Sequence, residues 1–179
     1  MKKYIKEKHE KIYDGQIISL YKDTMNIDGK KVFWDMIHHS GASAIIAIKE
    51  NGNLILEKQY RGPYEKFLIE IPAGKKEENE DFETCARREL EEETGFIATK
   101  LTEAITIYPT VAVSDEIIKI YLAEDLKQGK INLDEDEFVE IFDLSVEEAI
   151  EKINSAEIVD SKTVAGILWY ANYLNSKNK

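Results

Sequence analysis

The chain has one cysteine, three prolines, no long apolar run and no basic stripe, and each shortage removes a class of protein. A lone Cys85 cannot close an internal disulfide, and its place in CARREL, inside an expected amphipathic helix, makes it a small buried hydrophobe rather than a nucleophile. No apolar stretch approaches the roughly 20 residues that a membrane helix requires, so no membrane partner is expected. The opening MKKYIKEKHEKIYDG carries lysines but leads into no apolar block and no small-residue cleavage site. It does not read as a signal peptide, and the expected location is cytoplasmic. A formal net charge of -11 leaves nothing to displace counterions from a phosphate backbone, which excludes nucleic acid as a partner. An anionic small molecule stays open to such a chain, provided that divalent cations bridge the two. With few prolines, no Ser/Gly linker and no repeat, the 179 residues fit one domain or one domain with an appendage.

What is present is a series of short alternating runs. IISLYKDTMNI and KKVFWDMIHH flank Asp28-Gly29, a dipeptide suited to the tight turn of an antiparallel hairpin. ASAIIAIKE is answered, after Asn51-Gly52-Asn53, by LILEKQYR, again strand, turn, strand. FLIEIPAG follows, then a glutamate-rich stretch, then strand-like ATKLTEAITIY, IIKIYLAEDL and FVEIFDLS, and finally helical patterns at VEEAIEKINS and SKTVAGILWYANYLN. Hairpins outnumber strand-helix-strand units, so the expected fold is α/β of the α+β type with a mixed, mainly antiparallel sheet.

The stretch DFETCARRELEEET predicts a helix, with Asp81 as N-cap, an apolar stripe of Phe82, Cys85, Ala86 and Leu90, and Gly95 as the stop. Glu89, Glu92 and Glu93 fall on one face of it. Like charges at this spacing cost about 0.2 to 0.5 kcal/mol per pair, and Arg87 and Arg88 offset only part of that. Such clusters are ordinarily solvated helix faces. The surrounding spacing says otherwise: Gly74, five residues, Glu80, seven residues, Arg88-Glu89-Leu90, one residue, Glu92-Glu93, one residue, Gly95-Phe96. A pattern that specific arises by chance on the order of once in 10⁸ placements. It resembles the signature of the Nudix hydrolases without exception.

The resemblance implies a Nudix fold, a sheet sandwiched by helices, and cleavage of a nucleoside diphosphate linked to another moiety. It also implies a Mg²⁺ or Mn²⁺ site made by Glu89, Glu92, Glu93 and the backbone carbonyl of Ala73. Gly74 would admit close backbone approach, and Arg88 would pair with Glu80 to hold the loop on the helix and orient the carboxylates. Hard cations favour such oxygen ligands, and they activate water and neutralise phosphate charge.

Outside the box, QYR at 59–61, FLIEIPAG at 67–74, SDE at 114–116, DEDEFVE at 134–140 and VDSKT at 159–163 resemble the ADP-ribose pyrophosphatase branch. That likeness implies ADP-ribose as substrate, cleaved to AMP and ribose 5-phosphate. It implies Arg61 on the diphosphate, for which guanidinium is well shaped, Glu70 on substrate or metal, Glu116 at the substrate, and Glu137 or else Glu135 as base for the attacking water. It further implies an N-terminal antiparallel extension over residues 1–40, exchanged in a homodimer and carrying Trp34 against the adenine, with the hydrolase domain over 41–179. His38 and His39 have no third ligand at a metal spacing and are expected on strand faces. The chain departs from the branch at Val111-Ala112, where a Pro-Gly turn is usual, and this leaves other sugar nucleotides such as GDP-mannose, or a dinucleotide, as alternatives. A non-catalytic Nudix module is a further alternative, one disfavoured by the complete set of box glutamates.

Overall fold

A computed structural model gives the structure of residues 1–133 and 138–177. Its contacts group into two units: residues 1–41 with 108–117, and residues 42–107 with 118–179.

The first unit is an antiparallel meander of β1 (Tyr4–Asp14), β2 (Ile18–Ile27) and β3 (Lys30–His39). The expected hairpin is present between β2 and β3. Asp28 and Gly29 both take positive φ, 51° and 88°, as a turn matched to strand twist requires, and the Gly29 N–H donates to Asn26 Oδ1 at 2.7 Å. β1 is exposed along its whole length, and two bulges, at Lys6/Lys8 and Lys11/Tyr13, break its register on β2. Bulges and lysines are common on edge strands because both discourage unwanted pairing. Segment 108–117 joins this unit through β3: Ile37 bridges Ser114, and Asp115 accepts from the His39 N–H at 3.0 Å while lying 2.7 Å from His38 Nδ1.

The second unit contains two sheets. One has the order β7 (Ala73–Lys75), β4 (Ala42–Ala47), β9 (Ile118–Gln128), β8 (Phe96–Ile107); the other has β10 (Val139–Leu144), β5 (Leu54–Arg61), β6 (Lys66–Glu70). Among the described strands, β4 and β9 pair in parallel and the other strand pairs are antiparallel. The helices are α1 (Phe82–Thr94), α2 (Val146–Asn154) and α3 (Ser161–Lys177).

Strand period decides where they pack. Along β4, Ile45 and Ala47 join Ala86 and Leu90 of α1 in one cluster, while Ala44 and Ile46 join Ala149 of α2 and Ile167 and Tyr170 of α3 in another. Successive side chains point to opposite faces, so a strand apolar without a break from Ala44 to Ala47 is covered by helices on both sides. Each fully buried Ile or Leu contributes about 1.5–3 kcal/mol. The sandwiched, mixed and mainly antiparallel architecture expected from the sequence is the one observed.

The second strand-turn-strand unit resolves differently. The turn is there, with Gly52 at φ 85°, but beyond the single bridge Ile48 to Leu54 the two strands part, β4 into one sheet and β5 into the other. Since β4 is already flanked by β7 and β9, it has no free edge for β5. Among the described residues, no helix is long and apolar enough to cross a membrane.

Candidate active site

The glutamate-rich segment folds as a short strand, a loop and a helix. Asp81 caps α1, accepting from the Thr84 N–H at 2.8 Å, and Gly95 closes it in the left-handed region with φ 71°. Both ends lie where the sequence put them. Cys85, Ala86 and Leu90 are fully buried, which fixes the roll of the helix and turns its acidic face toward β7.

Arg88 organises that face. Its Nε and Nη2 donate to the two Glu80 oxygens at 2.9 and 3.0 Å, a fork that ties the loop to the helix. Its Nη1 donates to Glu89 Oε1 at 2.7 Å and to Glu92 Oε2 at 2.9 Å. Nη2 also reaches the Lys75 carbonyl at 3.3 Å. One guanidinium therefore gathers three carboxylates and the strand before the loop. The hydrogen bond to Glu80 is the main reason that Arg88 holds its proton more tightly than a free arginine, and the same contact draws the Glu80 carboxyl below its ordinary value.

Glu93 points the other way. It is 1% exposed, and its Oε2 accepts from the Ala73 N–H at 2.9 Å. Ala73, expected at the metal through its carbonyl, is thus fastened to a carboxylate of the same set by its N–H. Gly74 lies close beside Glu89: a Cβ built there would stand 2.0 Å from the Glu89 carboxyl carbon. Any residue with a side chain would evict that carboxylate. Cys85 Sγ donates to the Gly74 carbonyl at 3.5 Å, and burial pushes the thiol up to about 11, so it stays protonated and inert.

The donor set fits a hard divalent cation in type: Glu89 stands at Gly74, Glu92 shares Arg88 with it, and Glu93 is bonded to the neighbouring Ala73. Among the described residues, no three acidic, His or Cys side chains converge closely enough to ligate an ion as they stand. Glu89 and Glu92 each accept from Arg88 with one oxygen, and Glu93 accepts from the Ala73 N–H.

A second cluster lies on β5, β6 and the start of α3. Arg61 forks onto Glu70, with Nε to Oε1 and Nη2 to Oε2 both 2.7 Å. Lys162 Nζ donates to Glu70 Oε2 and, at 3.1 Å, to Asp160 Oδ2. Asp160 also caps α3, accepting from the Thr163 N–H at 3.0 Å and from its hydroxyl at 2.7 Å, and Thr163 Oγ1 in turn accepts from the Ile71 N–H at 2.9 Å. Burial alone would push the Glu70 carboxyl up; Arg61 and Lys162 outweigh it and hold the group below its ordinary value. The sequence singled out Arg61 and Glu70 without pairing them, and gave Lys162 and Asp160 no role. Asp160-Ser161 ahead of an apolar helix was a readable cap; the tie from Lys162 to Glu70, across 92 residues, was not.

Trp34 is 46% exposed on β3, with Tyr4 at 6.3 Å between ring centroids. Glu116 lies 3.6 Å from His39 Nδ1 in the same unit, and Val111 is exposed. Glu135 and Glu137 fall outside the described residues.

A loop-helix clamped by an Arg-Glu fork with glutamates displayed beside it, on a helix-sheet-helix body, defines a class. A NUDIX domain profile matches residues 37–165, and the chain belongs to the NUDIX family. It is 42% identical over 161 residues to the ADP-ribose pyrophosphatase of Bacillus subtilis (strain 168), covering 88% of this chain and 87% of that one. It is 39% identical over 163 residues to the methanol dehydrogenase activator of Bacillus methanolicus, covering 89% and 88%. A crystal structure of an ADP compounds hydrolase shares the fold, with a TM-score of 0.86 over 98% of this chain and 96% of the other at 18% identity.

Proposed function

We propose that this chain is a Mg²⁺- or Mn²⁺-dependent pyrophosphohydrolase that cleaves ADP-ribose to AMP and ribose 5-phosphate. The observation that carries the reading is the Arg88 fork on Glu80, because the same guanidinium holds Glu92 together with Glu89, which stands at Gly74. The 42% identity to an ADP-ribose pyrophosphatase supports the substrate.

In this reading Glu89, Glu92, Glu93 and the Ala73 carbonyl hold the cation. A cation held there would supply charge neutralisation for the diphosphate and a lowered pKa for its water. Arg88 keeps two of the carboxylates in place while Glu80 keeps Arg88 in place. Arg61, oriented by Glu70, meets the diphosphate with donors left over from its fork. Glu137 or Glu135 takes the proton of the attacking water as its oxygen bonds to phosphorus and the bridging P–O bond breaks. Glu116 contributes to the substrate pocket, and Trp34 stacks on the adenine from a partner chain, in a cytoplasmic homodimer built by exchange of residues 1–40.

The test is a panel of ADP-ribose, GDP-mannose and a diadenosine compound with Mg²⁺, followed by product chromatography. AMP from ADP-ribose, formed faster than any product of the others and abolished by chelator, is expected. Faster cleavage of GDP-mannose or the diadenosine compound overturns the substrate, and no product from any of them overturns the enzyme.

A further inference from the structure

The ammonium group buried at the start of α3 has no part in the box chemistry. Lys162 is only 8% exposed, and burying an ammonium costs several kcal/mol unless its surroundings repay it. Packing alone does not call for it, since a methionine would fill a similar volume without that cost. Its contacts are specific. It donates to Glu70 Oε2, the same oxygen that takes Arg61 Nη2, and to Asp160 Oδ2. Glu70 thus serves two cations at once, the half-exposed guanidinium of Arg61 and the sequestered ammonium of Lys162.

The division of labour follows from the charges around Arg61. Glu70, Glu57 and Asp160 all act electrostatically on the guanidinium, and Glu57 and Glu70 are buried cross-strand neighbours on β5 and β6. With Arg61 as the sole cation, that set of carboxylates would cancel its positive field and pull the guanidinium inward. A second cation, held inside and shared by Glu70 and Asp160, takes up part of the negative charge.

We propose that Lys162 is a positioning residue for substrate binding: by sharing Glu70 it preserves the orientation and the outward positive field with which Arg61 receives the substrate diphosphate. This rests on the reading given above, that Arg61 meets a diphosphate. Lys162 itself touches no substrate; it acts through Glu70 and Arg61.

Steady-state kinetics with Mg²⁺ on the full chain test this, with thermal midpoints measured alongside. Lys162→Met and Lys162→Gln are expected to raise KM for ADP-ribose by about tenfold while kcat changes less than about threefold, the pattern of a lost uniform binding contribution. Lys162→Gln keeps an amide donor for Glu70 and so keeps the test open if Lys162→Met does not fold. Lys162→Arg, which restores the charge, is expected to recover most of the loss. In an Arg61→Met background, Lys162→Gln is expected to change KM by less than about twofold, because residues acting through one contact are not additive. An unchanged KM in folded Lys162→Gln overturns the proposal, and so does an undiminished KM rise in the Arg61→Met background. Failure of the wild-type chain to cleave ADP-ribose would instead overturn the substrate reading. The same cycle then runs on whichever diphosphate of the panel is cleaved, with the same expected split.

Discussion

The Arg88 and Glu70 clusters invert each other's arithmetic. Around Arg88, one cation holds Glu80, Glu89 and Glu92, with Glu93 close by on Ala73. Around Glu70, two cations share one carboxylate, and Asp160 completes a set whose charges nearly balance. A balanced set can be buried and left alone, and Glu70 and Lys162 are. In an acid-heavy set each uncompensated carboxylate costs solvation or repulsion, and Glu93 is buried among them. In the reading proposed above, the acid-heavy cluster takes a cation and the balanced one orients Arg61 toward the substrate. Four carboxylates stand against one guanidinium in the box, an excess of negative charge that the proposed divalent cation would offset.

The contrast predicts unequal responses. Glu93→Gln removes a ligand charge and little volume, and turnover is expected to fall by roughly 10²–10³-fold with the thermal midpoint nearly unchanged. Activity assays with Mg²⁺ decide this; retained turnover would remove Glu93 from the metal set. Gly74→Ala places a methyl where the Glu89 carboxylate stands, so the carboxylate must move. Metal affinity, read by Mn²⁺ titration, is expected to weaken by roughly 10–100-fold, the usual loss when a ligand's support is disturbed. Unchanged affinity would show that Glu89 need not occupy that spot.

The balanced cluster should answer to pH instead. The Glu70 carboxyl is held below its ordinary value in the folded chain, so it contributes stability above the unfolded pKa of about 4.3, and that contribution disappears as pH falls through the folded value. Each unit of depression is worth about 1.4 kcal/mol. Urea midpoints measured from pH 6 to pH 3 are expected to fall less steeply for Glu70→Gln than for the wild type. Parallel curves would mean that the ion pairs contribute nothing to acid sensitivity.

The sequence disclosed the clusters unequally, and distance along the chain explains why. Everything in the Arg88 cluster lies between Ala73 and Glu93: helical spacing between a cap at Asp81 and a stop at Gly95 puts Glu89, Glu92 and Glu93 on one helix, and the Arg88–Glu80 pair was implied by the family resemblance. The hairpin at Asp28-Gly29 was legible for the same local reason. The partners of Glu70 come from two strands and a distant helix, and only the folded chain brings Lys162 to it. Sheet membership was equally opaque. The turn at Gly52 is written in the sequence, but the parting of β4 and β5 depends on β9, which arrives some seventy residues later to pair with β4. The tie between Asp115 and the β3 histidines has the same long-range origin.

The chain's one thiol sits at the seam where Gly74 meets α1, fully covered and protonated at neutral pH. A sulfhydryl so placed can be modified only in the moments when strand and helix separate. The rate at which a small alkylating agent finds Cys85 therefore reads out the opening of that seam.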